Sequence, residues 1–288
     1  MSKTVSRYRL KSSAFQRPEE DVQILPKRMI FLSVEGDETE RTYFQCLNEY
    51  LDSSLIQIEI LRHKKGDGYS DPTYVIELLQ EYLAIRQGEI IPDELPKEFL
   101  NQYSKEILNV YLNEPDSLDA EKRKEIQSAL LNIGIDLEYR KYLANYNAKT
   151  DLFAVVLDRD CGNHSRKVME DCVEFCKSNE LGCYISNPCF EFWLLLHLCD
   201  VSAEFDNNAQ TELLENKKIS GHHTRVSKEV SERAKHAKKI SLKKFTEMYK
   251  ENIGLAIKHS KKFAVQYPEI LDQLGTNIPD LFKEIGYP

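Results

Sequence analysis

Four short apolar runs alternate with helical segments along this chain, and the alternation constrains the fold more than any other feature of the sequence. The runs are residues 29–35, 55–61, 152–158 and 181–187. Short, nearly continuous apolar runs of this kind are typical of buried strands. Because strands that alternate with helices usually pair in parallel, we expect an α/β fold with a mostly parallel sheet flanked by helices.

Residues 88–148 differ in composition from the segments that carry the strands. Prolines separate pieces that have the apolar spacing of helices, and this pattern predicts a helical insertion. The α/β core then consists of residues 29–87 and 149–200. A polar, basic arm over residues 1–28 precedes the core, and a helical, basic region over residues 201–288 follows it.

No apolar run reaches the roughly 18–20 residues that a helix needs to span a bilayer. The basic N-terminal segment also lacks the apolar core of a secretory signal. We therefore expect a cytoplasmic protein with no membrane partner. Seven cysteines are present without a CxxC pair. Cys172 and Cys176 lie one helical turn apart, which suits a zinc site or, more commonly, small buried thiols.

The net charge of −8 hides an uneven distribution of charge along the chain. Residues 217–262, which we call the basic segment, carry a net charge of +10, and the remainder carries −18. Such a segment indicates either a surface that binds phosphate groups or a solvated helical face. Lysines of the loop after the second strand and of the basic segment are candidate nucleic-acid contacts: Lys64, Lys65, Lys235, Lys238, Lys239, Lys243 and Lys244.

Carboxylates lie where three of the predicted strands end. Glu35 ends the first strand, Asp158 and Asp160 end the third, and Glu191 lies in the first turn of the helix after the fourth. Parallel strands bring such ends to one edge of a sheet, so these four acids are candidate catalytic residues. Like charges held close together repel, and a hard cation such as Mg²⁺ or Mn²⁺ relieves that repulsion. Glu35, Asp158 and Asp160 are the candidate metal ligands.

Structural roles for the acids are also open. Asp37, with Glu40 three positions later, resembles a capping box at the start of the first helix. Glu191 suits the positive end of a helix dipole. Arg41 or Arg159 offers an ion-pair partner for Asp158.

Five stretches of the sequence resemble a known family. A strand ending in Glu-Gly, followed much later by one ending in Asp-x-Asp, is similar to the layout of TOPRIM domains. The wider pattern resembles the RloB-like family, which comprises TOPRIM-related proteins of bacterial anti-phage loci. The resemblance covers residues 29–87 and 150–286 and leaves out 88–148. The matching stretches are VEGDETERTYF (34–44), KKGDGYSDPTYVIELL (64–79), VVLDRD (155–160), ISNPCFEFWLLLH (185–197) and GTNIPDLFKEI (275–285).

The resemblance implies a role for several of these residues. Glu35 would be the TOPRIM glutamate, acting as a metal ligand or as a general acid or base. Asp158 and Asp160 would be the pair that holds Mg²⁺. Asn187, Glu191 and His197 fall in the family's own signature, although a histidine on an apolar helix face is more commonly a packed residue.

The resemblance also implies a function. We expect a Mg²⁺-dependent nuclease that hydrolyses RNA, such as tRNA, or DNA as the effector of a bacterial anti-phage system. One alternative is a non-catalytic or regulatory subunit that acts only with a partner ATPase of the same locus. Another alternative is a different TOPRIM-type phosphoryl transfer on nucleotides. The chain has neither a Walker A loop nor a GxGxxG motif, so the ATPase would be a separate protein.

Overall fold

The computed structural model describes residues 28–36, 38–53, 55–61, 72–144, 147, 149–221, 223–235 and 240–287, except for the side chains of 72–76. Its architecture confirms an α/β fold with a mostly parallel sheet. The sheet has five strands: β1 (Arg28–Val34), β2 (Ile56–Ile60), β3 (Leu152–Asp158), β4 (Gly182–Asn187) and β5 (Gly275–Thr276). The four longer strands coincide with the four apolar runs to within a residue at either end.

The strands are arranged in the order β2-β1-β3-β4-β5. β1 pairs in parallel with both β2 and β3, and β3 pairs in parallel with β4. The chain therefore moves outward from β1 to β2 on one side and then returns to place β3 on the other side of β1. The carboxyl ends of β1 and β3 flank this reversal, which is where ligands bind in open α/β sheets.

Fourteen α-helices lie within the described residues, and short 3₁₀ turns at 115–117, 250–252 and 269–271 supplement them. The helices are α1 (Thr39–Asn48), α2 (Pro72–Arg86), α3 (Lys97–Gln102), α4 (Lys105–Asn113), α5 (Ala120–Asn132), α6 (Leu137–Ala144), α7 (Arg166–Ser178), α8 (Phe190–Leu198), α9 (Val201–Glu204), α10 (Asn207–Glu215), α11 (Arg225–Ala234), α12 (Leu242–Met248), α13 (Ile253–Ser260) and α14 (Ile278–Glu284). None of the helices described is long and apolar enough to cross a membrane.

Helix α8 lies at the centre of the main hydrophobic core. Its sequence is apolar almost all round, and every residue from Phe192 to His197 is buried. It packs against β4, α11 and α13, and the same core includes side chains of α1 and one face of β1. On the other face of the sheet, Cys183 of β4 reaches the cysteines of α7. Helices thus cover both faces, as expected for a parallel sheet.

The chain forms two compact units. The first consists of Pro26–Leu79 and Ala148–Pro288 and contains the whole sheet. The second includes Gln80–Asn147, and its core is made of apolar residues from α3 to α6 such as Leu108, Ile126 and Leu130. The helical segment expected at 88–148 thus begins within α2, and residues 201–288 belong to the same unit as the sheet.

Two local expectations were wrong. Everything after residue 200 was expected to be helical, yet Gly275 and Thr276 form β5, which pairs antiparallel with the end of β4. Gly275 lies so close to Ala264 that a side chain there would clash with the Ala264 carbonyl oxygen. Pro188, directly after the fourth apolar run, predicts the first turn of a helix. The helix begins instead at Phe190, after a cis peptide bond between Asn187 and Pro188.

Candidate active site

Asp158 is the central acid at the carboxyl edge of the sheet. It is the last residue of β3, and its Oδ1 accepts a hydrogen bond from the backbone N–H of Phe190, 2.8 Å away at the start of α8. Loss of hydration in the folded protein raises the pKa of Asp158 well above its usual range. The carboxylates of Glu40, Glu35 and Glu191, in that order, raise this pKa further. Four carboxylates are thus close enough at this edge to act on one another.

Glu35 follows the last residue of β1 and is 7% exposed. Its backbone N–H continues the β1–β3 ladder by donating to the Val156 carbonyl oxygen, 3.2 Å away. Its Oε2 accepts a hydrogen bond of 3.0 Å from the backbone N–H of Asp158. The side chain therefore reaches across the gap between the two strands that flank the chain reversal.

His164 is the partner of Glu35 that the sequence reasoning missed. Its Nε2 lies 3.4 Å from Glu35 Oε1, and its Nδ1 lies 3.1 Å from the carbonyl oxygen of Asp158. The ring is buried, with its side chain 6% exposed. The only signal in the sequence was its position four residues after Asp160, because a histidine just beyond an acid-bearing strand end lies at the same edge.

Glu40 also belongs to this edge, and its expected partner in a capping box, Asp37, cannot be compared with it. The N-cap residue of α1 is Glu38, which makes no side-chain capping bond, and Asp37 lies outside the described residues. Glu40 is 5% exposed, and its carboxylate folds against Gly36: a Cβ atom at residue 36 would lie 2.0 Å from Glu40 Oε2. Glycine at position 36 is what makes room for this carboxylate beside Asp158.

Glu191 completes the group of four from the first turn of α8. It acts on two neighbours besides Asp158. Burial raises the pKa of the Cys189 thiol, and Glu191 raises it further by its charge and a hydrogen bond. Burial likewise raises the pKa of Tyr249, and the Glu191 charge adds to that shift. The walls around Glu191 are therefore poorly hydrated.

Asp160 lies beyond the end of β3. Residues two apart on a strand point to the same side, so the spacing predicts that Asp158 and Asp160 face the same way. Strand β3 ends at Asp158, so this strand geometry does not extend to Asp160. The backbone at Asp160 has a φ of 26°, and its Oδ2 accepts a 2.7 Å hydrogen bond from Asn163 Nδ2. The carboxylate with the largest effect on Asp158 is that of Glu40, which a different element, α1, supplies.

Arg159 and Asn187 anchor the 3₁₀ turn at 269–271 beside the edge. The Arg159 guanidinium donates from Nε to the Leu271 carbonyl oxygen at 2.9 Å and from Nη1 to the His164 carbonyl oxygen at 2.7 Å. Asn187 Nδ2 donates to the Ile270 carbonyl oxygen at 2.8 Å. The side chains of both residues thus bind main-chain carbonyl oxygens, and these bonds do not neutralise the four acids.

An open cleft with a volume of about 620 Å³ is lined in part by the segment that includes this turn. Its walls include Lys261, Lys262, Glu269, Phe263 and three glutamines, so it combines two cations, one carboxylate, amide groups and one ring. Gln273 lies two residues from Leu271, whose carbonyl oxygen binds Arg159. The segment therefore connects the cleft to the acidic edge.

The acids at the edge offer only oxygen atoms, the donors preferred by Mg²⁺ and Mn²⁺. Within the described part of the chain, however, no group of three or more His, Cys, Asp or Glu side chains is arranged to hold a metal ion. Glu35 already binds a backbone N–H and His164. The donor chemistry fits a hard cation, whereas the side chains would have to draw closer together to bind one.

The candidate nucleic-acid lysines lie in different surroundings. Lys64, Lys65, Lys238 and Lys239 are outside the described residues. Lys243 and Lys244 both pair with Glu247, at 3.7 and 3.9 Å. Lys235 is exposed at the C-terminus of α11 and takes part in none of the ion pairs found among the described residues.

His197, Cys172 and Cys176 all have buried side chains. His197 lies in the core, with Nδ1 2.9 Å from the Trp193 carbonyl oxygen and Nε2 3.1 Å from the Tyr43 hydroxyl. Burial lowers its pKa to about 3, so it is neutral. Cys172 and Cys176 are buried free thiols.

No curated protein and no solved structure was found to match this chain. A family model does match, that of the RloB-like proteins, over residues 30–285. The matched range runs through residues 88–148, which the five sequence stretches leave out, and it contains all four acids and His164. With nearly its whole length matched, the chain belongs to the RloB-like protein family.

Proposed function

We propose that this protein is a metal-dependent nuclease of the TOPRIM type that hydrolyses phosphodiester bonds in RNA or DNA. One observation carries the proposal: four carboxylates from two strand ends and two helices come together at the chain reversal of a parallel sheet. Burial and the charges of the other three raise the pKa of Asp158 well above its usual range. An edge built this way is unfavourable without a ligand, and a divalent cation removes the repulsion.

Asp158, Glu40 and Glu191 would hold the cation, Mg²⁺ or Mn²⁺. When bound, such an ion neutralises phosphate oxygens and lowers the pKa of a water molecule. Asp158 is the residue around which the group is built, because both its backbone and its side chain are fixed by neighbours. Glu35, held between the Asp158 N–H and His164, is placed to accept a proton from a water molecule.

The substrate would approach over cationic and amide groups. The cleft beside the 269–271 turn carries Lys261, and Lys235 is exposed on α11. Phosphate contacts of this kind position a nucleic acid without reading its sequence. The anti-phage role that the family resemblance implies, with a partner ATPase of the same locus, belongs to the same proposal.

A second candidate function is a subunit that becomes active only with such a partner. It is favoured by the absence, among the described residues, of a ready-made group of three metal ligands. Binding of a partner would supply the free energy that draws the repelling carboxylates together.

The test is incubation of the purified full chain with labelled RNA and DNA in Mg²⁺, in Mn²⁺ and in EDTA. The expected result is cleavage that requires metal and is lost in Asp158→Asn. The matched control is Asp171→Asn, an exposed aspartate on α7 that pairs only with Lys167 among the described residues. Cleavage that persists in Asp158→Asn would contradict the proposal. Absence of cleavage, together with a metal-dependent rise in melting temperature, would favour the second candidate.

A further inference from the structure

Glu35, His164 and the backbone of Asp158 form a closed ring of three contacts. The Asp158 N–H donates to Glu35 Oε2 at 3.0 Å, Glu35 Oε1 lies 3.4 Å from His164 Nε2, and His164 Nδ1 lies 3.1 Å from the Asp158 carbonyl oxygen. The Glu35 and His164 side chains are 8% and 6% exposed. The backbone of Asp158 thus contacts both members of the pair: its N–H binds Glu35, and its carbonyl oxygen binds His164.

The hydrogen atoms in this ring follow from its partners. A carbonyl oxygen only accepts hydrogen bonds, so Nδ1 of His164 must carry a hydrogen. A carboxylate that already accepts from a backbone N–H also calls for a donor at its other oxygen. One hydrogen atom therefore lies between His164 Nε2 and Glu35 Oε1. The ring cannot rotate without losing its bond to the Asp158 carbonyl oxygen.

The loop that carries His164 is held independently of this ring. Backbone N–H groups of Asn163 and His164 donate to the Asp160 carbonyl oxygen at 2.9 and 2.8 Å, and Arg159 binds the His164 carbonyl oxygen. Because these bonds hold the main chain, changes to the imidazole should leave the loop folded. The imidazole itself is thus available for a role beyond stability.

We propose that His164 is a positioning residue that fixes the direction of the Glu35 carboxylate relative to Asp158. The inference rests on the proposed function, because it assigns a task to a residue of that site. Without the imidazole, Glu35 loses the contact at Oε1, and its carboxylate turns about the bond that Oε2 accepts from the Asp158 N–H. Residues that orient site carboxylates in this way typically contribute about 10- to 100-fold in metal affinity or activity.

Two substitutions separate the two ends of the imidazole. In His164→Gln, the side-chain amide reaches about as far as Nε2 and still donates to Glu35. In His164→Asn, the amide reaches about as far as Nδ1, so it binds the Asp158 carbonyl oxygen and leaves Glu35 without its donor. His259→Asn is the matched control, because His259 Nδ1 also lies near a backbone carbonyl oxygen, that of Leu196 at 2.8 Å, away from the acidic edge.

The test uses the full chain and two readouts. In metal-dependent cleavage, His164→Asn should lower kcat by about 10- to 100-fold at little change in KM, whereas His164→Gln and His259→Asn should retain most of the activity. All variants should melt near the wild-type temperature in EDTA. Equal loss in the Asn and Gln variants, or no loss in either, would overturn the inference.

The second readout needs neither metal nor activity. In nuclear magnetic resonance spectra of histidine ring nitrogens, His164 should carry a hydrogen on Nδ1, and Glu35→Gln should shift its Nε2 signal while leaving those of His259 unchanged. Ring signals of His164 that do not respond to Glu35→Gln would overturn the positioning role even if the wild type is an active nuclease. A wild type that neither cleaves nor binds metal, with a responsive His164, would count against the proposed function and leave the ring of contacts supported.

Discussion

The acidic edge of the sheet and the basic segment 217–262 differ in how their charged side chains are arranged. Like charges lie together at the edge, whereas opposite charges pair in the basic segment. At the edge, Asp158 lies near three other carboxylates, and burial together with those charges raises its pKa. In the basic segment most of the described lysines and arginines have an acidic partner on the surface. Examples are Arg225 with Glu229, Arg233 with Glu204, and Lys262 with Asp200.

This comparison distinguishes two kinds of charge cluster that a sequence can contain: paired charges on the surface and buried charges of one sign. Surface cations interleaved with acids are solvated and compensated, so each pair contributes little, about 0–1 kcal/mol. Buried acids that face one another have no such compensation within the group and gain from a ligand of opposite charge. The buried cluster, although it has fewer residues, is therefore the stronger indicator of a binding site.

The largest expected effect is that of Asp158→Asn. The substitution keeps an acceptor for the Phe190 N–H and removes the central charge, so metal-dependent cleavage and metal-dependent stabilisation should both disappear. Because the folded protein raises the pKa of Asp158, its ionisation destabilises the fold as pH rises above about 4 toward the raised value. Melting in EDTA should therefore show a higher temperature at pH 7 for the variant than for the wild type. A lower temperature, with Asp171→Asn unchanged, would contradict the repulsion at this edge.

Glu35→Gln should have the next largest effect. The amide keeps an oxygen that accepts from the Asp158 N–H, so the melting temperature should hold or rise because one repelling charge is gone. Cleavage, or toxicity and phage protection in cells that carry the locus, should be lost. Thermal melts and phage challenge measure the two outcomes. An unfolded variant, or one that still protects, would make Glu35 a structural acid.

His197 is a buried ionisable group outside the acidic edge, and it is accommodated in the core by remaining neutral. Its pKa of about 3 in the folded protein lies below the usual 6.5. The contribution of neutral His197 to the free energy of unfolding is therefore fully present above about pH 6.5. It is lost as the pH falls from about 6.5 to about 3, at about 1.4 kcal/mol per pH unit for the one proton. His197→Phe should lower stability at pH 7, because Tyr43 loses its partner, and should flatten the acid slope of the unfolding free energy. A slope equal to that of the wild type would show that other groups set the acid sensitivity.

Gly36→Ala tests the place of Glu40 in the acidic group. The added methyl group would occupy the position of the Glu40 carboxylate, which is the end of a flexible side chain and can move away. Metal affinity, measured by calorimetry or by the metal-dependent melting shift, should fall, while stability in EDTA should change little. Gly221→Ala is the control, because nothing among the described residues lies within 4 Å of a Cβ atom there. Unchanged metal affinity in Gly36→Ala would remove Glu40 from the site.

The smallest effects should come from the basic segment, where paired and unpaired lysines can be compared. Lys243→Gln breaks a pair with Glu247 on the surface and should change stability by less than about 1 kcal/mol. Lys261→Gln removes a cation of the cleft that has no acidic partner among the described residues. If the cleft holds a phosphate, the salt slope of nucleic-acid binding should fall by about one for Lys261 and not for Lys243. Equal slopes for both variants would make the whole segment a solvated face.

Some of the site could be predicted from local sequence. Glu35 and Asp158 follow apolar runs that can only be buried strands in a chain of this pattern, and parallel pairing then brings their ends together. The spacing of Asp160 from Asp158 was misleading, because the strand stops at Asp158 and the main chain turns. Strand periodicity holds only while the strand continues, and the sequence carries no sharp mark of where it ends.

The sequence by itself determined the α/β class, the four parallel strands and the family, because apolar runs and short motifs are local properties of the chain. Only the tertiary structure decided that Glu40 lies with the acids, that His164 faces Glu35, and that β5 joins the sheet. Each of these depends on contacts between segments distant in the chain, or on a glycine that leaves room for one carboxylate. Such contacts are set by how buried faces pack together, and packing depends on every element at once.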